Sequence, residues 1–344
     1  MTNYQKINGG GKSLSNFQAN SDLPAANAET DKIDEKWYGT NEQWWNWYTS
    51  LADNSKESLN EETFIPMNEQ VAPQIPSIKE LQQELTEPYP ISEEQIQQFQ
   101  TDSYIRIKNI LSPGSLYLLR QELKQLFYDH HKLDPNRKFS SMELMWQESD
   151  IVKEFVLSKR LGKLAANLLQ VSSVRVYHDD FLCKEPGCVR TPWHYDGFHY
   201  PIASKNIGTF WIPLQSTPKA IGPLEFAKGM EVHKLVKEIP FDKFSQSHDH
   251  AIVEMLQSLD IQVNREPFLL GEVSFQHCLN VHGAGANHTK EQRIAFGISY
   301  FENGSRVISS PILISGDWQK FMPGIQPLEV ISSPYNPIVY DLVD

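Results

Sequence analysis

Two separated stretches of this chain carry residue types that could bind a redox metal. The first is Thr191-Pro192-Trp193-His194-Tyr195-Asp196-Gly197. On an extended backbone, side chains alternate between faces, so His194 and Asp196 point the same way and can share one ion. A third ligand from elsewhere would complete a two-histidine, one-carboxylate triad, which leaves positions open on Fe(II) for oxygen chemistry. The best candidate is His282, in His282-Gly283-Ala284-Gly285-Ala286-Asn287. Beyond it, Arg293 opens the apolar run Ile294-Ala295-Phe296-Gly297-Ile298-Ser299-Tyr300-Phe301. A guanidinium there could hold a carboxylate through two parallel charge-assisted hydrogen bonds.

Other candidates compete. His178-Asp179-Asp180 is a second His-x-Asp, also on a stretch that reads as a strand. His248-Asp249-His250 reads as a solvated helix start, with Asp249 suited to the first turn. His199 and His277 read as polar edge residues or supports for the ligands. Cys183 and Cys188 have the spacing C-x4-C without partners and read as small core or loop residues rather than zinc ligands.

The elements that must position these groups fall into zones. Residues 1–34 are rich in Asn, Ser, Gly and acidic side chains without hydrophobic periodicity, and are expected to be a disordered leader. Residues 35–90 form an N-terminal extension. It opens with Trp37, Tyr38, Trp44, Trp45, Trp47 and Tyr48, where a short helix with one aromatic side would serve as packing or as a lid. The prolines at 66, 73, 76, 88 and 90 predict little regular structure over 53–90. Ser92-Glu93-Glu94-Gln95 is a capping box opening a helix through Phe99, and 104–108 alternates as a half-buried strand does. Ser112-Pro113 starts an amphipathic helix, and a second is predicted over 151–169. From Val174 the pattern becomes short β-branched and aromatic runs broken by turn residues. Strands are predicted at 174–183, 191–196, 207–214, 223–227, 268–270, 273–277 and 293–302, with a helix near 249–259. The class is mainly β with flanking helices, and a jelly roll is preferred because it can bring 194 and 282 to one mouth. The boundaries expected are 91–310 for the main domain and 311–344 for a tail packed on it.

Composition narrows the function. The net charge is −12, which argues against a nucleic-acid or anionic-membrane surface. No apolar run is long enough to span a bilayer, and the N-terminus lacks an apolar signal region. Three cysteines do not make a disulfide framework, so a cytoplasmic setting is expected.

Together the motifs resemble the phytanoyl-CoA dioxygenase family of iron- and 2-oxoglutarate-dependent oxygenases. The matching pieces are Pro192 to Gly197, Thr209-Phe210-Trp211-Ile212-Pro213-Leu214, Gly222-Pro223-Leu224, and Gly271-Glu272-Val273 through His282-Gly283 and Asn287 to Arg293. Ile91 to Tyr104 is similar to the family's start, so the resemblance covers about 90–302. It implies a double-stranded β-helix, a cupin-like jelly roll. It also implies iron ligation by His194, Asp196 and His282, and a 2-oxoglutarate carboxylate on Arg293 beside Trp211. His178-Asp179-Asp180 lacks the following Gly and the downstream tryptophan at family spacing. Two departures stand out: Ala284 replaces a common serine, and Lys228-Gly229-Met230 replaces the usual Pro-Gly-Ser, with His233 displaced.

The expected activity is oxidation, most simply hydroxylation, of a C–H bond in a small specialised metabolite, with dioxygen as cosubstrate and release of succinate and CO2. Trp193, Tyr195, Phe198, His199 and Tyr200 flank the motif and are candidates for the substrate pocket, with core packing expected for at least half of them. C–N or C–C cleavage, desaturation and cyclisation start from the same oxidant. A cupin-like metalloprotein without 2-oxoglutarate and a silent binding module are the rival classes, and Arg293 favours the oxygenase over the former.

Overall fold

In the computed structural model, residues 41–52, 73–130, 138–241, 245–311 and 317–343 are described. The expected leader, Trp37 and Tyr38, and residues 53–72 lie outside them. In chain order the elements are α1 (Asn41–Thr49), α2 (Ile78–Thr86), α3 (Glu93–Asp102), β1 (Tyr104–Lys108), α4 (Pro113–His130), β2 (Phe139–Glu143), α5 (Asp150–Val156) and α6 (Lys159–Leu169). There follow β3 (Ser173–Lys184), β4 (Thr191–His194), β5 (Ile207–Pro213), β6 (Leu224–Ala227), α7 (Val232–Lys237), α8 (Ser247–Ser258) and β7 (Val263–Asn264). The last are β8 (Glu272–His277), β9 (His282–Ala284), β10 (Arg293–Glu302) and β11 (Ile338–Asp341).

The strands make two antiparallel sheets, as a jelly roll requires. The larger runs β1-β8-β5-β10-β3-β11, with β2 also on β3, and the smaller runs β4-β9-β6-β7. Helices cover the outer face of the large sheet, and α6 shows why. Leu161, Leu164, Ala165 and Leu168 recur at three- and four-residue spacing and are fully buried against the sheet. Each buried leucine contributes roughly 1.5–3 kcal/mol. The inner faces of the two sheets enclose the cavity that holds the site.

Several sequence expectations change. The helix predicted over 151–169 is two, because Ser158 leaves the helical conformation and caps α6 by accepting from the Leu161 N–H. The stretch 53–90 is not irregular throughout: Ser77 and Glu80 form a capping box that opens α2. Residues 268–270 make only a bridge from Phe268 to Thr217. β2, β9, β11 and α7 were not foreseen. They are short, and β9 (His-Gly-Ala) has no β-forming composition. In the tail, β11 pairs with β3, while Trp318, Phe321 and Met322 are buried.

Candidate metal and cosubstrate site

Cross-strand pairing brings the two histidines together. β9 lies between β4 and β6, with His282 in register with His194 on one side and Phe226 on the other. The His194 and His282 rings are 4.4 Å apart between centroids. Pro192 has no N–H to give a ladder, and the β4–β9 register shifts between Thr191 and His194. Gly283 permits the close approach, since a Cβ there would meet the Thr191 carbonyl oxygen at 3.0 Å. Tyr195 is extended, so Asp196 returns to the side of His194 before a single 3-10 turn begins. The Asp196 Oδ1 is 3.6 Å from His194 Nε2 and 3.7 Å from His282 Nε2. The three ligand atoms all lie within 4.8 Å of one another, and no other such group of His, Cys, Asp and Glu occurs among the described residues.

The remaining ring nitrogens fix the tautomers. His194 Nδ1 donates to the Pro192 carbonyl at 2.8 Å, and His282 Nδ1 donates to the Asn280 carbonyl at 3.0 Å. Each Nε2 therefore keeps its lone pair and faces the common point, the arrangement that orients metal-ligating imidazoles. Burial, followed by the neighbouring His282, holds His194 well below the usual histidine range, in the neutral form that ligates. Burial raises Asp196, while His282 and the Tyr200 hydroxyl favour its charge. Tyr200 belongs to a hydroxyl cluster with Thr209 (3.0 Å) and Ser299 (3.3 Å).

Braces behind the ligands were not visible in the sequence. Asp249 is buried, not solvated: it accepts from Arg190 Nη2 at 2.6 Å and from the Trp193 N–H at 2.8 Å, tying α8 to β4. Asn280, fully buried, donates to Ser103 Oγ and the Ala227 carbonyl, so the joint after α3 holds the turn before His282. Asn287 donates to the Lys184 and Glu291 carbonyls and shapes the turn into β10.

The cavity beside the triad has a volume of ≈ 110 Å³ and is lined by both sheets together with Trp45 and Phe321. Arg293 and Trp211 face into it, the guanidinium carbon 5.6 Å from the indole centroid. Arg293 is 2% exposed, yet its Nε, like the Trp211 Nε1, is buried without a hydrogen-bond partner. Burial lowers Arg293 to about 10, which leaves it charged at neutral pH. A buried cation and a buried indole N–H without acceptors in one cavity fit an incoming carboxylate.

Of the flanking aromatics, His199 and Tyr200 line the cavity. Trp193, Tyr195 and Phe198 do not: the first two are buried in the core behind the motif, and Phe198 is 52% exposed. His277 receives the Leu279 N–H instead of reaching the cavity, and His233 bonds the Met230 carbonyl. Ala284 lines the wall. Cys183, Cys188 and Cys278 are buried free thiols. Trp45 also lines the cavity, so α1 contributes to the wall as well as to packing.

The phytanoyl-CoA dioxygenase (PhyH) family matches this chain over residues 99–295. The chain belongs to that family. It is accordingly an Fe(II)- and 2-oxoglutarate-dependent dioxygenase-type enzyme, and the histidine–carboxylate triad suits that cofactor. No curated protein sequence matches it. Among solved structures it is similar to the non-heme α-ketoglutarate-dependent carbocyclase SnoK from nogalamycin biosynthesis, with 21% identity, TM-score 0.61, and coverage of 73% of this chain and 99% of that one. It is similar also to the epimerase SnoN, crystallised with Fe3+, α-ketoglutarate and nogalamycin RO, at 18% identity, TM-score 0.58 and coverage of 72% and 98%. EctD from S. alaskensis with bound Fe follows at 19% identity, TM-score 0.55 and coverage of 73% and 90%. At such identities the likeness is one of fold. Among the described residues, no helix is long and apolar enough to cross a membrane.

Proposed function

We propose that His194, Asp196 and His282 hold the iron, that Arg293 with Trp211 holds the distal carboxylate of 2-oxoglutarate, and that the enzyme hydroxylates a small specialised metabolite in the cytoplasm. The observation that carries this is the convergence, in one cavity, of three metal-competent ligand atoms with an arginine that lacks an acceptor.

Iron with 2-oxoglutarate and dioxygen supplies the oxidant for a C–H bond, the cosubstrate leaving as succinate and CO2. The chain's own residues bind, orient and exclude water. The Pro192 and Asn280 carbonyls hold the imidazoles in the ligating tautomer. Arg293 fixes the direction of the cosubstrate, and Trp211 supplies an N–H and a flat wall beside it. Trp45, Phe139 and Phe321 add aromatic surface to the cavity wall, which disfavours water there.

The test is anaerobic titration of the Fe(II)-loaded protein with 2-oxoglutarate, following the weak visible charge-transfer absorption of an Fe(II)–2-oxo-acid chelate. The wild type develops the band and, in air with substrate, makes succinate. Failure of both would favour a metalloprotein that does not use 2-oxoglutarate.

A further inference from the structure

The cavity has a second polar wall that the iron and the cosubstrate leave unused. β3 turns His178, Asp180 and Leu182 inward, and the first two form a His-x-Asp pair. His178 is 6% exposed, and its Nδ1 lies 3.2 Å from Asp180 Oδ2, out of line for a hydrogen bond. The Asp180 Oδ1 is buried with no partner at all.

No strand neighbour offers this carboxyl a cation. On one side its register partner is Gly297, which has no side chain to offer. On the other it is Glu143, a like charge directly opposite, an arrangement that is destabilising by itself. The cation whose charge acts on it is Lys320, which is itself 2.5 Å from Glu143 Oε2 and 2.7 Å from Asp317 Oδ2. One lysine thus serves two other carboxylates. Arg293 is assigned to the cosubstrate, and the charge of Asp196 to the metal. Burial, aided by Glu143 and Asp179 and only partly opposed by Lys320, pushes Asp180 well up, and burial lowers His178 to about 3, so the imidazole is no counter-ion at neutral pH.

The surroundings suit a cation. The Tyr177 and Phe321 rings flank His178 at 4.4 and 4.7 Å, and Tyr200 packs 5.3 Å from Tyr177. Aromatic faces attract cations, most strongly where water is excluded. An ammonium would favour the charged form of Asp180 that burial disfavours, whereas a neutral alcohol would not, and an anion would meet the side chains of Asp180 and Glu143.

We propose that His178 and Asp180 form a subsite for a protonated amine, so that the substrate is a small basic metabolite whose ammonium docks on β3 while a C–H bond faces the iron. Asp180 accepts from the ammonium, and the neutral His178 accepts a second N–H or stacks beside it. The proposal rests on the reading of the iron site given above and specifies which substrates that site takes.

The experiment loads the protein anaerobically with Fe(II) and saturating 2-oxoglutarate and records the chelate band. It then titrates primary amines, from methylamine to benzylamine, against alcohols of the same skeleton, reading the perturbation of that band. The amines should bind about ten- to a hundredfold more tightly than the matched alcohols, the usual worth of a charged hydrogen bond. Asp180→Asn should abolish that preference and leave the band unperturbed in the absence of amine. A band with no amine preference overturns this subsite alone. Retention of the preference in Asp180→Asn overturns it equally. Absence of the band in wild type removes the iron reading, and this proposal with it. The wild-type comparison needs no variant, so a misfolded Asp180→Asn would not spare the idea.

Discussion

The chain places two His-x-Asp pairs in one cavity, and among the described residues only one of them is joined by a third side chain that could complete a metal site. Locally they are alike. Each begins on a strand, although Asp196 already opens a 3-10 turn; each puts imidazole and carboxylate on the same face, and the nitrogen–oxygen distances are 3.6 Å for His194–Asp196 and 3.2 Å for His178–Asp180. What differs is the surroundings. His194 has its Nδ1 occupied by a carbonyl, its Nε2 free, and His282 in register on the next strand. His178 lies on β3 of the large sheet, its Nδ1 makes no hydrogen bond, and its register partner on β10 is Ser299 rather than another ligand. Alternation makes the pair; a histidine from a neighbouring strand and an occupied second nitrogen make the site.

The largest effect expected is the one that would break the comparison outright. Asp196→Ala should lose most iron binding and all oxidation, since two imidazoles alone hold Fe(II) poorly. His178→Ala should leave iron binding nearly unchanged. Metal titration of both variants decides it, and the reverse outcome would move the iron to β3.

Next in size is the brace that distinguishes the first pair. Asp249→Ala removes the buried partner of Arg190 and the acceptor of the Trp193 N–H. Breaking a buried pair by deleting one member costs about 3–5 kcal/mol. Chemical denaturation should show that loss, with a weaker iron site because β4 is no longer tied to α8. Asp249→Asn, which keeps an acceptor for Trp193, should fall between. An unaltered midpoint for Asp249→Ala would make the contact incidental.

A smaller effect separates the two ends of the cavity. Arg293→Ala should weaken 2-oxoglutarate by about 1.5–3 kcal/mol, roughly ten- to a hundredfold, with Fe(II) still bound. Arg293→Lys keeps the charge without the fork and should be partly impaired. Titration of the chelate band measures both. If Asp180→Asn weakened 2-oxoglutarate as much as Arg293→Ala, the two walls would not have separate roles.

The triad and Arg293 were legible because their signal is type plus spacing on strands, and alternation needs no tertiary knowledge to place His194 beside Asp196. The jelly roll followed from the run of short strands. Other features were hidden for physical reasons. Asp249 looked like a solvated first-turn residue because nothing local shows that Arg190 folds back onto it. Asn280 acts through its contacts with Ser103 and Ala227, both distant in sequence. His178 and Asp180 looked like a failed metal pair, since the charge around them comes from β2 and from Asp317 and Lys320 in the tail. The break at Ser158 and the start at Ser77 were available as capping signals, overshadowed by hydrophobic periodicity at the first and by the surrounding prolines at the second.

The smallest effect concerns the cover over His194. The Trp45 and Tyr48 rings meet His194 edge-on at 5.6 and 5.7 Å, and the Tyr48 hydroxyl donates to the Trp193 carbonyl at 3.2 Å. Among the described residues, the rings that meet His178 are instead those of Tyr177 and, from the tail, Phe321. Tyr48→Phe keeps the ring and removes one neutral hydrogen bond, worth about 0.5–1.5 kcal/mol, so it should soften α1 without touching the cosubstrate. Trp45→Ala does something different, because that side chain lines the cavity. Opening the wall admits water near the iron, so succinate should form in excess over oxidised substrate and the apparent KM should rise severalfold. The ratio of succinate to product is the readout to follow, since a fall in stability alone does not move it. A coupled Trp45→Ala enzyme with wild-type KM would reduce α1 to packing, and the metal pair would then owe its shelter to the sheets alone.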